Sequence, residues 1–170
     1  MVAMLAAPRG LWPRGKQGDE ARRPWRVEEG DGLALYNVHA AFVAAKQSRS
    51  WCDKRGLSFG TLARASGLAA TYRALTQAEQ EPMADDEVAD ALSRALIMGL
   101  APANSARLSP DGQHYMLLRG GNGEALRIHP ESVLFTTESA EYVVFAQLTR
   151  TGFMRGVSVV DKDLLPHLLP

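Results

Sequence analysis

The 170-residue sequence has one cysteine, Cys52, so no disulfide can close within the chain, and no Cys/His cluster supplies the ligands of a zinc site. That usage fits a reducing, intracellular compartment. It also lacks net charge: 19 Lys and Arg face 19 Asp and Glu. The broad basic footprint of a stand-alone nucleic-acid binder is therefore missing, and any contact with a polyanion has to be local. No apolar run approaches the roughly 20 residues of a membrane helix, and the opening MVAMLAAP is too short and wrongly flanked for a secretory signal, so no membrane partner is expected. There is no GxxxxGK[ST] loop to hold a triphosphate and no Asp-Glu-Ala-His run to position magnesium and water, so hydrolysis of ATP by this chain alone is not expected. The Gly cluster after Arg119 lacks the Lys-Ser/Thr and following helix of a phosphate loop and reads as a hairpin turn. His39, His114, His129 and His167 are scattered, and the sequence suggests no Ser or Cys nucleophile placed to pair with any of them for catalysis. His129, before Pro130, is expected to fix a turn by hydrogen bonding, and Cys52 beside Trp51 to be a buried small hydrophobe.

What is present is enough apolar material, 46% of residues, for one core or two small ones. Residues 1–30 hold a short apolar helical stretch up to Pro8, then a Pro/Gly/Arg-rich segment read as loop. In it Trp12 and Trp25 stand among Arg9, Arg14, Lys16, Arg22, Arg23 and Arg26. Tryptophans packing a connector onto its neighbour is one reading, and phosphate contact with stacking is the other.

Residues 31–102 read as a helical bundle. Asp31 is a plausible N-cap, with Leu33, Tyr36, Ala40 and Val43 at helical spacing and Leu35, Val38 and Phe42 widening the stripe. A short helix follows at Trp51-Cys52, then a third over residues 58–79 with Leu62, Leu68 and Leu75 inward, ended by Glu81-Pro82. A fourth starts at Asp85, Asp86 and Glu87, where carboxylates favour the positive end of the helix dipole, carries Leu92, Leu96 and Gly99 or Leu100 as its buried stripe, and stops at Pro102. From 103 on the pattern changes to strands. Leu108-Ser-Pro-Asp-Gly is a turn, residues 115–118 and 126–128 form a hairpin, and the runs SVLF, EYVVFAQL and GVSVV follow, with a short apolar helix over 162–169. The expectation is an α+β chain whose second half is a small closed five-stranded antiparallel β-barrel.

Two sets of residues carry a family resemblance. Ile128-His129-Pro130, Ser132-Val133-Leu134-Phe135, Val143-Val144-Phe145, Met154-Arg155, Val157, Asp161 and Pro170 follow the pattern IHPSSVLF…WVVYxEL…TTKxYMR. Glu29-Gly30-Asp31, Leu33, Leu35, Asn37-Val38, Ala41-Phe42, Trp51-Cys52, Leu57 and Leu62 follow EGDHLTLLNVYxAF…WCxxxFLNYRSL. In this order the sequence resembles the C-terminal region of the DEAH-box ATP-dependent RNA helicases. The resemblance implies a winged-helix remnant and basic linker over 1–30, a helicase-associated or ratchet bundle over 31–102, and an oligonucleotide/oligosaccharide-binding (OB) fold over 103–170. It further implies single-stranded RNA, helicase motor domains in cis or trans and an activator of the G-patch type as partners, with ATP and magnesium belonging to the motor. A nuclear or nucleolar setting in splicing or ribosome assembly follows from the same source.

The RNA-contact candidates are Thr149, Arg150, Thr151, Phe153 and Arg155, in or beside the loop matching TTKxYMR. An Arg fork and Thr hydroxyls suit phosphate. Phe153 could stack on a base or pack inward, and Arg155 could pair with a carboxylate such as Glu141. The sequence departs from the family at Gly32 (usually His), Gly60-Thr61 (Arg-Ser), Ala69 (Arg), Gln147 (acidic) and Leu164 (Trp), and its segment between Phe145 and Phe153 is two residues shorter. These changes point to a weakened RNA face. The competing readings are a stand-alone protein-interaction module and a truncated product.

Overall fold

The computed structural model describes residues 2–6, 10–76, 84–120, 123–161 and 164. Glu81-Pro82, the closing helix with His167, Pro170, and the side chains of Asp85 and Asp86 lie outside the described residues. The helices are α1 (Val2–Ala6), α2 (Lys16–Arg22), α3 (Asp31–Ala44), α4 (Arg49–Lys54), α5 (Phe59–Thr76) and α6 (Asp85–Leu100), with a 3-10 turn at Arg23–Trp25. The strands are β1 (Ser105–Leu108), β2 (Tyr115–Leu117), β3 (Arg127–Ile128), β4 (Tyr142–Leu148) and β5 (Phe153–Val159). The fold is α+β, helices then a curled sheet in the order β2-β1-β4-β5-β3.

The helical core is Met4, Leu11, Val38, Phe42, Cys52, Leu57, Leu62 and Ala65, with Trp12, Trp25 and Trp51 packed on it. Cys52 is wholly buried there, as a small hydrophobe should be. Local chemistry sets the helix starts: the Ser48 hydroxyl accepts from the Trp51 N–H at the head of α4, and the Glu87 carboxylate accepts from the Ala84 N–H at the head of α6. The barrel core gathers Ala106, Tyr115, Leu126, Val143, Phe145, Met154 and Val157. Alternation along β4 sends Val143 and Phe145 inward, while Val144 meets Leu96, Ile97 and Ala101 at the end of α6. β4 is therefore buried on both faces, which explains its unbroken apolar run.

Several expectations are corrected. The sheet is mixed, because β3 runs parallel to β5 while every other pairing is antiparallel. After β3 the chain passes β5 to reach β4 on its far side, so β3 and β4 flank β5 in opposite directions. Among the described residues the curl brings the outer strands together only at a Tyr115–Leu126 bridge, two reciprocal 2.8 Å backbone bonds, so the expected hairpin shrinks to one pair and the barrel is a half-barrel. SVLF is a turn, not a strand. The Ser132 and Phe135 N–H groups bond to His129 O and Ser132 O, and Leu134 N–H to the Ser132 hydroxyl, so local bonds replace a ladder. The strand that takes its place, β1, lies just before the Leu108 turn, where the sequence reading named no strand.

Residues 16–25 are helical rather than loop. On α3 the buried line is Ala34, Val38 and Phe42, whereas Val43 is 47% exposed. Apolar residues surround this helix because it packs on both α5 and β5, so periodicity could not identify one face. Leu62 is inward on α5 as expected, but Leu75 is 76% exposed.

Candidate nucleic-acid interface

The five candidate residues fall into two groups. Thr149, Arg150 and Thr151 form the tip of the β4–β5 hairpin, closed by the Thr149 N–H on Phe153 O at 2.9 Å and by Gly152 N–H on Thr149 O at 3.1 Å, with Gly152 at φ +76°. The Thr149 hydroxyl is committed to the loop, accepting from the Phe153 N–H at 2.9 Å and lying 3.2 Å from the Thr151 hydroxyl. Arg150 and Thr151 are exposed, and among the described residues the Arg150 guanidinium has no ion-pair partner. This leaves Arg150 able to meet a phosphate from solvent.

Phe153 and Arg155, two apart on β5, share a face and meet His129 instead. The His129 ring stands edge-on to Phe153 with centroids 5.7 Å apart. Arg155 donates through Nη1 to Glu131 Oε2 at 2.6 Å, and its Nη2 lies 2.5 Å from His129 Nε2. The expected partner, Glu141, instead bonds Arg107 at 3.2 Å, because it lies just before β4, at the opposite end of that strand from Gln147, the residue paired with Arg155. His129 Nδ1 accepts from the Glu131 N–H at 3.0 Å, which is the turn-fixing role expected of it.

The residue missed by sequence reasoning is Asp31. It is not the N-cap of α3. Gly30 holds that position at φ +99°, and Asp31, the first helical residue, is buried. Its carboxylate accepts from the N–H of Val133 and from that of Val157, each at 2.8 Å, joining the head of α3 to the turn after β3 and to β5. Next to it the Gly32 N–H bonds the Ser158 hydroxyl at 3.1 Å, and a Cβ on Gly32 would meet the Leu96 side chain at 2.4 Å. The glycine that departs from the family pattern is thus what allows α3, α6 and β5 to close together. The signal in the sequence was the Glu29-Gly30-Asp31 triplet, which carried the family resemblance while Asp31 itself read only as a cap.

Burial raises the Asp31 carboxyl from its ordinary 3.8 to about 6, while the bonds from Val133, Val157 and Ser132 and the Arg22 charge pull the other way. A raised folded-state value means that the folded chain holds this proton more tightly than the unfolded one. The contribution is full below the unfolded value and is lost as pH rises through about 6. The stability of the wild type relative to Asp31→Asn is therefore expected to rise as pH falls from about 7 to about 5 in paired urea unfolding series. A pH-independent difference would refute this.

A cavity of about 130 Å³ opens beside Arg155, between the 10–12 segment, the start of α3 and the turn carrying Glu131. Among the described residues no group of His, Cys, Asp and Glu could hold a metal ion, and no helix is long and apolar enough to cross a membrane.

Residues 92–170 match the family model described as oligonucleotide/oligosaccharide-binding (OB)-fold, so the second half of the chain is an OB-fold. The whole chain is more specifically placed. It is 30% identical over 157 residues to the probable ATP-dependent RNA helicase DHX35 of Pongo abelii, covering 91% of this chain and 21% of the relative. The human protein of the same name matches at 30% over 87% of this chain and 21% of its own length, and human ATP-dependent RNA helicase DHX33 at 25% over 92% and 22%. The chain is related to the C-terminal region of the DEAH-box RNA helicases, and it spans about a fifth of the length of these relatives.

Proposed function

We propose that the chain acts as the accessory C-terminal portion of a DEAH-box ATP-dependent RNA helicase, guiding single-stranded RNA and docking activators of the G-patch type. ATP and magnesium belong to motor domains supplied in cis or in trans, and splicing or ribosome assembly in the nucleus or nucleolus is the setting. The observation that carries this reading is the β4–β5 tip, where Arg150 and Thr151 stand exposed on an OB-fold while Thr149 holds the loop in shape. With zero formal charge, affinity has to come from such local contacts.

Short single-stranded RNA should bind weakly, with an affinity that falls as salt rises. Arg150→Ala should weaken binding several-fold and reduce the slope of log K against log salt by about 1, measured by fluorescence anisotropy. Arg150 is the informative position because Arg155 is already paired with Glu131. RNA binding insensitive to both salt and Arg150→Ala would sink the proposal. The neutral charge also favours a second reading, a module that only docks proteins, under which Arg150→Ala leaves partner binding untouched.

A further inference from the structure

We infer that the cavity beside Arg155 is a pocket for one unpaired nucleobase. Its volume of about 130 Å³ compares with the roughly 10–15 Å³ that one water centre needs, so it holds a ring-sized group. Its lining combines the apolar Leu11, Trp12 and Leu35 with the polar Arg155, Glu131 and His129. A planar ligand with polar atoms on its edge matches that combination.

The polar lining has donors in excess. Arg155 Nε is buried and has no hydrogen-bond partner among the described residues, while both terminal nitrogens are engaged. His129 is approached by the Glu131 N–H at Nδ1 and by Arg155 at Nε2, yet a neutral imidazole accepts at only one nitrogen. A ligand atom that accepts a hydrogen bond here would satisfy a donor that the protein leaves unsatisfied.

A phosphate is the wrong acceptor. Arg155 is already ion-paired with Glu131, and Asp31 contributes a second carboxyl to the lining, so the pocket offers no surplus positive charge. A nucleobase edge is neutral and offers an acceptor for the Arg155 Nε–H and an N–H for the Glu131 carboxylate, and its ring can lie on the Trp12 indole. Every base has such an edge and a π-face, so the pocket would be tolerant of sequence.

The inference deepens the RNA-guiding reading and rests on it for the source of the base. Its test compares a short oligouridylate with the same strand in which the bases, but not the sugar-phosphates, are removed, both titrated into the wild-type full chain. The oligouridylate is expected to bind about fivefold or more tightly, the lower end of what one stacked base contributes. Trp12→Ala and Arg155→Lys should remove that advantage while leaving the abasic strand's affinity unchanged, and Trp12→Phe should restore part of it. Free uridine should move the Trp12 indole N–H resonance, and ribose 5-phosphate should not. Equal affinity of the two strands, with no uridine effect on Trp12, would overturn the pocket while leaving RNA guiding intact. A uridine effect on Trp12 with no binding of either strand would retain the pocket and remove RNA guiding instead. The strand comparison uses unaltered protein, so it decides the matter even if a variant fails to fold.

Discussion

Asp31→Ala is expected to destabilise the chain by about 2–6 kcal/mol, because it leaves the buried N–H groups of Val133 and Val157 without an acceptor at roughly 1–3 kcal/mol each. Alanine cannot reach either donor, and both donors belong to buried residues. Asp31→Asn keeps one acceptor oxygen but turns an NH₂ toward the other N–H, so it should also destabilise, by less than alanine. Urea unfolding followed by circular dichroism measures both. A loss below about 1 kcal/mol for Asp31→Ala would mean that the carboxylate is not what holds α3 to β5.

Gly30→Ala should be comparably damaging, by about 3 kcal/mol or more. Two causes add. Gly30 has φ +99°, where an L side chain is strained, and an added Cβ would meet Val157 O at 2.5 Å and Ser158 Cα at 2.9 Å, both backbone atoms that cannot step aside. Glu29 and Gly30 lie directly against β5 here, with the Val159 N–H on Glu29 O at 3.0 Å. The control is Gly67→Ala in the middle of α5, where nothing lies within 4 Å and φ is ordinary. There the same methyl should stabilise by about 0.5–1 kcal/mol through helix propensity. Thermal unfolding of both variants separates position from composition, and a Gly30→Ala midpoint equal to the wild type would contradict the argument.

The contrast between these glycines also shows what was legible beforehand. Turn residues and apolar runs announced β4, β5, the Leu108 turn and α4 to α6, because those elements are specified by neighbours a few positions away. SVLF misled, since its run is as apolar as a strand and only the hydrogen bonds of Ser132 turn it aside. The parallel pairing of β3 with β5 left no trace, as two residues carry no directional pattern. Of the candidate site, the β4–β5 tip was identifiable by position. The Arg155 cluster and Asp31 were not, because their partners lie 24 to 126 positions away. An acidic residue beside glycine at a helix start reads as a cap, and only the arrival of two distant N–H groups makes it something else.

That distance has a consequence for how the chain assembles. Asp31 emerges from the ribosome well before its last donor, Val157, which follows 126 residues later. Until β5 exists, the head of α3 keeps a hydrated, charged carboxylate, which is inexpensive in water and disfavours premature burial of that helix end. Final docking therefore waits on the most remote contact in the joint, and closure of so long a loop slows folding. A nascent chain paused before residue 157 would have the helices and the Val133 donor in hand, but not the strand that completes the joint.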